Sequence, residues 1–393
     1  MDVDQLLAGA IEQTGLREFG PEVDAMLEAL HVLVRSADDD AGLTPEGDAA
    51  FGGMIGSLLT RRLEIEDWYA RHPEIGEQEV ESVLFGVGLP RTGSTALSYL
   101  LAQDREVRCL RQWESNHPTP PPDIATEDSD PRFLAAQQAM GIRDQVPSEL
   151  KSMLPSSPDG PAECLDLMSM TFRCMALDVM AKTPSYAEWL YACDFGPAYR
   201  YHHRVVKLLQ WRRPPSRWRL KTPAHLLSIE ALNDEYPEAR FVTTHRDVTK
   251  VIPSVASVET AVVNMMTGNA DPVYIGHHCA DTWDLCLRRF IAFRDRVGED
   301  RFYDIGFDDF QSDPVGSIRK LYEWLGEDFT PATEDAMQRW WKNNEEEREQ
   351  SGPHRYRAED FGLDTGELAE RFAYYAERFP IAAPKAADRR SVS

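Results

Sequence analysis

The chain is short of three things. No run of 18 apolar residues occurs in it, so no segment is long enough to cross a bilayer as a helix. It has six cysteines in 393 residues and no Cys-x-x-Cys pair. That is too sparse for a disulfide scaffold, and we read all six as reduced core thiols. Cys279 and Cys286, seven apart in a helical pattern, can share one buried face. Positive charge is also scarce: 42 Lys and Arg against 66 Asp and Glu leave a net charge of −24. Such a surface repels nucleic acid and anionic membrane. The start, Met1-Asp2-Val3-Asp4, is acidic and lacks the basic and apolar regions of a secretory signal. These absences predict a cytoplasmic protein with no transmembrane segment and no nucleic-acid partner.

What remains is globular: 42% hydrophobic and 27% charged, long enough for one large domain or two smaller ones. Residues 1–80 carry a helical period, with Leu27, Leu30, Val32 and Leu33 near one face and Leu58, Leu59, Leu63 and Trp68 repeating it. They predict a helical N-terminal extension on a main domain spanning 81–393. From residue 82 the period changes. Val83-Leu84-Phe85-Gly86-Val87 is a short apolar run, followed by a Gly/Pro loop and a helical pattern in Ala96, Leu97, Leu100 and Leu101. Further strands are expected at Trp218-Arg219-Leu220-Lys221, at Arg240-Phe241-Val242-Thr243-Thr244 and from Phe302 to Phe307. Helical patterns lie between them, from His225 to Tyr236, Val251 to Met266 and Asp281 to Val297. Strands alternating with helices predict an α/β fold, a mainly parallel sheet flanked by helices. Residues 115–161 hold two proline clusters, His117-Pro118-Thr119-Pro120-Pro121-Pro122 and Pro155-Ser156-Ser157-Pro158-Asp159-Gly160-Pro161. Proline at that density predicts an irregular insertion, either a functional loop or a surface excursion.

The stretch that carries chemistry is Gly86-Val87-Gly88-Leu89-Pro90-Arg91-Thr92-Gly93-Ser94-Thr95. Gly88 and Gly93 are spaced as in a phosphate-binding loop, after an apolar strand and before a helix. Inward-turned N–H groups and a helix N-terminus make an anion cradle; the bland alternative is a tight turn whose glycines serve packing. The Lys that reaches the β- and γ-phosphates in nucleotide triphosphatases is replaced by Ser94, and Arg91 sits inside the loop. Downstream, Thr243-Thr244-His245-Arg246-Asp247 ends a strand, and Ser254 lies eight residues beyond Arg246. An Arg fork and a Ser hydroxyl at that edge of a parallel sheet can meet on one anion, or can be a surface Arg beside a capped helix.

Taken together, the lysine-free Pro-Arg-Thr-Gly-Ser-Thr loop, the later Leu-Lys-Thr-Pro and the His-Arg-Asp with its distant Ser resemble a sulfotransferase. Phe307-Asp308-Asp309-Phe310-Gln311-Ser312-Asp313-Pro314 and Tyr322-Glu323-Trp324-Leu325-Gly326 add to the resemblance, which runs from about residue 82 to the C-terminus. It is nearest to bacterial sulfotransferases related to the protein-tyrosine sulfotransferases. One departure is Val248, where the family often has Pro after His-Arg-Asp. The resemblance implies the donor 3′-phosphoadenosine-5′-phosphosulfate (PAPS) and the product adenosine 3′,5′-bisphosphate (PAP). It places Arg91, Thr92, Gly93, Ser94 and Thr95 on the 5′-phosphosulfate and Arg246 and Ser254 on the 3′-phosphate. Arg355, in His354-Arg355-Tyr356, would belong to a late loop over the nucleotide.

The same resemblance places the proton acceptor at Glu114 of Trp113-Glu114, with His117 as the runner-up. Burial beside Trp113 and the prolines is expected to raise the Glu114 carboxyl above its ordinary range. Lys221, at the end of its strand, would stabilise the leaving phosphate. No metal is required: His202-His203 and His277-His278 diverge on a helix, and Cys/His ligand spacing is absent. Between Asp194 and Glu230 there is no acidic residue, while Arg200, Arg204, Lys207, Arg212, Arg213, Arg217, Arg219 and Lys221 fall in that window. They are either a positive field for the donor or a solvated basic face. Met168, Met170, Phe172, Met175, Met180, Trp189 and Tyr191 either line an adaptable acceptor pocket or fill the core. Glu163 either orients an acceptor or is a favourable first-turn carboxylate. The expected partner is a small hydroxylated lipid, sterol-like compound or phenol. The rivals are a P-loop kinase using ATP and Mg²⁺, and a family member that binds nucleotide without transferring anything.

Overall fold

The computed structural model describes residues 1–140, 157–213, 217–351 and 356–382. Five strands form one wholly parallel sheet: β1 (Leu84–Gly88), β2 (Val107–Cys109), β3 (Arg217–Lys221), β4 (Arg240–His245) and β5 (Phe302–Gly306), in the order β2-β3-β1-β4-β5. The central strand β1, Leu84-Phe85-Gly86-Val87-Gly88, is apolar and buried throughout because both faces of the sheet are covered there. Side chains alternate across it: Phe85 and Phe241 join the larger core, Leu84 and Val242 a smaller one with Leu97, Ile318 and Tyr322. Four of the strands fall where the sequence placed them. β2 does not show as an apolar run, because its three residues include Arg108, buried in the fold.

Three helices open the chain: α1 (Val3–Thr14), α2 (Val23–Asp40) and α3 (Pro45–Arg71). Asp2 and Thr44 cap α1 and α3 through side-chain oxygens that accept from Gln5 N and Gly47 N, each at 3.0 Å. Their inward faces, Leu30, Leu33, Phe51, Leu59 and Leu63, share one continuous core with the sheet and its helices. Arg62 of α3 is fully buried and lies 3.9 Å from the Tyr201 ring. Its guanidinium donates to the carbonyls of Phe19 (2.7 Å), Pro21 and Met170, so a buried cation ties the extension to the main domain.

The remaining helical patterns are also present: α4 (Ser94–Leu101) after β1, Ile229–Glu235 before β4, Val248–Thr267 after β4, and Pro272–Val297 before β5. Cys279 and Cys286 lie buried on one face of Pro272–Val297, and all six cysteines are free thiols. The proline-rich insertion is less irregular than expected. It contains a helix at Pro131–Met140, launched by Asp130, whose carboxylate accepts from the Arg132 N–H at 2.9 Å. Residues 141–156, with Pro155 and Ser156 of the second cluster, lie outside the described residues. No described helix is long and apolar enough to cross a membrane.

Candidate active site

The strand order creates the site. From β1 the chain turns towards β2 and β3; from β4 it turns the other way, towards β5. The loops leaving β1 and β4 therefore part, and a crevice opens between them at the carboxyl ends of the strands. The β1 loop lies on one side of it and His245-Arg246-Asp247 on the other.

Two glycines let the β1 loop close. Gly88 has φ 119°, and a Cβ there would meet the Thr244 carbonyl of the paired strand at 2.8 Å. Gly93 stands at φ 89° and brings no side chain to cap α4, which leaves the first-turn N–H groups for an outside acceptor. Thr92 is fully buried; its hydroxyl donates to Leu89 O at 2.6 Å and lies 2.6 Å from the Thr244 hydroxyl, locking the loop to β4. Ser94 is buried and Thr95 exposed at the start of the helix.

The expected anion groups come together. Arg91 is held at φ 62°, left-handed and unusual for a residue with a Cβ. Its Nε donates to Ser254 Oγ at 3.2 Å, and its carbonyl accepts from an Arg246 guanidinium nitrogen at 2.7 Å. Arg246 rests on the Phe307 ring at 4.1 Å, so the Phe307–Ser312 helix supplies the seat for this arginine. Burial, and the Arg91 charge as well, depress the Arg246 guanidinium below its ordinary value. Two crowded cations gain from an added anion. Neither arginine forms an ion pair with a carboxylate among the described residues. Tyr356 approaches the same corner, its hydroxyl donating to Lys250 O at 3.2 Å. Arg355 and His354 lie outside the described residues.

Lys221 ends β3 beside Gly86 of β1, where a Cβ would meet its Cγ at 2.9 Å. It is buried, and its ammonium donates to Glu163, whose other oxygen accepts from Thr222 Oγ1 at 2.8 Å. Glu163 is thus no simple first-turn carboxylate: it is the N-cap of Cys164–Met168, yet its side chain makes no capping bond.

The reading of Glu114 changes. It is wholly buried, and its carboxylate accepts from Arg108 at 2.9 Å, Arg111 at 2.5 Å and the Arg111 N–H at 3.3 Å. Burial pushes the carboxyl up, but the two guanidinium groups outweigh it and hold Glu114 below its ordinary value, opposite to the expected rise. A carboxylate committed to two arginines is a poor proton acceptor. His117 is exposed; burial of its inner edge and the charges of Arg61 and Arg132 depress its imidazole.

The basic window is also corrected. Arg200 pairs with Glu22, Arg204 with Glu66, Arg212 with Asp123, Arg213 with Glu127, Arg217 with Asp104 and Glu327, and Arg219 with Glu327. Lys207 donates to Gly76 O at 3.1 Å. Carboxylates distant in sequence neutralise most of the window, so it is no donor field. Of the proposed acceptor wall, Met168, Met170, Phe172 and Met175 are plain core; Met180, Trp189 and Tyr191 are partly buried against it.

Fold and site together define a class: an α/β protein with a two-armed anion site at the crevice between β1 and β4 and a buried lysine on the neighbouring strand. Residues 84–331 match the model of the sulfotransferase family, and the chain belongs to that family. Sulfotransferase STF1 from Mycobacterium tuberculosis is 30% identical, with a TM-score of 0.85 over 95% of this chain and 99% of that one. Sulfotransferase STF9 from Mycobacterium avium is 30% identical, with a TM-score of 0.87 over 96% of each chain. The omega-hydroxy-beta-dihydromenaquinone-9 sulfotransferase Stf3 of Mycobacterium tuberculosis is 31% identical over 109 residues, which are 27% of this chain and 28% of that protein.

Proposed function

We propose that this chain transfers a sulfuryl group from PAPS to a hydroxyl of a small lipophilic or phenolic acceptor in the cytoplasm. The observation that carries the reading is the meeting of Arg91, Arg246 and Ser254, drawn from three elements to one corner of the crevice. A donor with phosphates on both the 3′ and the 5′ oxygen of one ribose suits such a site. Arg91, Thr92, Gly93, Ser94 and Thr95 would hold the 5′-phosphosulfate, Arg246 and Ser254 would hold the 3′-phosphate, and Arg355 would belong to a loop over the nucleotide. Bound PAPS supplies the activated sulfuryl group. Lys221 would carry the negative charge that develops on the leaving phosphate oxygen. Ser94, standing where a kinase has its phosphate-gripping Lys, speaks against ATP. The acceptor class follows from Stf3, whose name specifies a hydroxylated menaquinone.

The test is calorimetric titration with PAP, with 5′-AMP and with ATP and Mg²⁺. PAP is expected to bind tightly and AMP much more weakly. Arg246→Ala is expected to weaken PAP by about 10–100-fold, the worth of a charge-assisted hydrogen bond. Preference for ATP with Mg²⁺, or no binding of PAP, would refute the reading.

A further inference from the structure

We propose that Glu163 is the catalytic residue that takes the proton from the acceptor hydroxyl, with Lys221 holding it in the donor-free enzyme. The inference rests on the sulfotransferase reading above. Glu163 lies at the start of Cys164–Met168, where a carboxylate ordinarily folds back onto its own helix. Here it turns away, with one oxygen on the Lys221 ammonium and the other 2.8 Å from Thr222 Oγ1. Its backbone is pinned on the N-terminal side. Ala162 N donates to Leu110 O at 2.7 Å, and Pro161 bridges to Arg111, so the segment is fixed to the chain leaving β2. The pair is asymmetric in exposure: the Lys221 side chain is 8% exposed and that of Glu163 31%. The carboxylate is thus the more accessible member of the pair to an acceptor coming from solvent.

The other acids are less suited. Glu114 is sealed between Arg108 and Arg111. Asp166, three residues beyond Glu163, has a carboxyl that burial and the Glu163 charge push up to about 6, but its hydrogen bond goes to Ser115 rather than to Lys221. When Lys221 engages the phosphosulfate, one oxygen of Glu163 is released. The acceptor proton then passes to that oxygen and the acceptor oxygen bonds to sulfur. The bond from sulfur to the 5′-phosphate oxygen breaks, and its electron pair stays on the phosphate beside Lys221.

The experiment compares two acceptors with sulfur-35 PAPS: farnesol, an alcohol that must lose its proton, and 4-nitrophenol at a pH where it is already ionised. Glu163→Gln is expected to lose about 10²–10⁴-fold on farnesol but less than about tenfold on the ionised phenol. PAP affinity by calorimetry should stay within about threefold, which also reports that the variant is folded. Glu163→Asp, which keeps the carboxylate, should recover part of the alcohol rate. Equal losses on both acceptors, an undiminished farnesol rate, or the same acceptor-dependent loss from Asp166→Asn instead would overturn the assignment while PAP binding upheld the donor reading. A wild-type chain that binds no PAP would overturn both.

Discussion

Replacing Glu114 by Gln separates a structural carboxylate from a catalytic one. The side chain is 0% exposed and faces Arg108, itself 3% exposed, and Arg111, 13% exposed. Arg111 reaches on to Glu127 and Asp159, each at 3.3 Å, and Arg108 donates to Leu209 O at 3.0 Å. Removing the charge strands two guanidinium groups in a low-dielectric site, and breaking a buried pair from one side costs about 3–5 kcal/mol. With an unfolding entropy of about 2.1 cal/mol/K per residue over the chain, that lowers the melting midpoint by about 4–6 °C. Scanning calorimetry reads the shift, and PAP titration well below the midpoint reads the site. The expectation is a clear loss of stability with PAP binding retained and transfer reduced only as far as folded protein is lost. An unchanged midpoint with transfer down more than about a hundredfold, the effect of losing a general base, would refute this reasoning and return Glu114 to the base.

Lys221→Ala is expected to lower transfer by about 10²–10³-fold, as for removal of one preorganised donor, while PAP affinity changes little; unchanged turnover would remove Lys221 from the mechanism. Glu259, on Val248–Thr267, carries a carboxyl that burial pushes up to about 7 although Cys279 Sγ donates to it at 3.0 Å. The folded state therefore holds a proton that the unfolded chain releases near pH 4.5, so stability falls as pH rises from about 4.5 to 7 and levels off above. Glu259→Gln should flatten that dependence and stabilise the fold by about 3 kcal/mol at pH 8, read by thermal denaturation at several pH values; no gain at pH 8 would contradict it.

The fold was legible wherever local pattern governs it. The β1 run, the glycine loop and α4 are contiguous, and each glycine answers a need the sequence states: a strand contact at Gly88 and a left-handed turn at Gly93. Arg246 and Ser254 are eight residues apart and share one connection, so their convergence could also be read in advance. Errors arose where partners are distant in sequence. Arg200 through Arg219 left both a positive field and a solvated face open because Glu22, Glu66, Asp104, Asp123, Glu127 and Glu327 lie outside the window. Glu114 read as a rising carboxyl because the apolar Trp113 is its neighbour in sequence, whereas Arg108 is its neighbour in space. Glu163 stood out only as a carboxylate at a helix start, with its role open, since the lysine it faces is 58 residues away.

The N-terminal helices reach the proline-rich segment as well as the core. The family match begins at residue 84, after the expected boundary at residue 80. The geometry crosses that boundary. Glu64 of α3 accepts from Thr119 Oγ1 at 2.7 Å, which fastens the first proline cluster to the helix. Arg61, one turn earlier, lies close enough for its charge to help depress the His117 imidazole and to oppose the rise of the Asp166 carboxyl, and its Nε is buried without a hydrogen-bond partner among the described residues. A buried donor left unsatisfied costs about 1–3 kcal/mol, a cost that a bound polar group can remove.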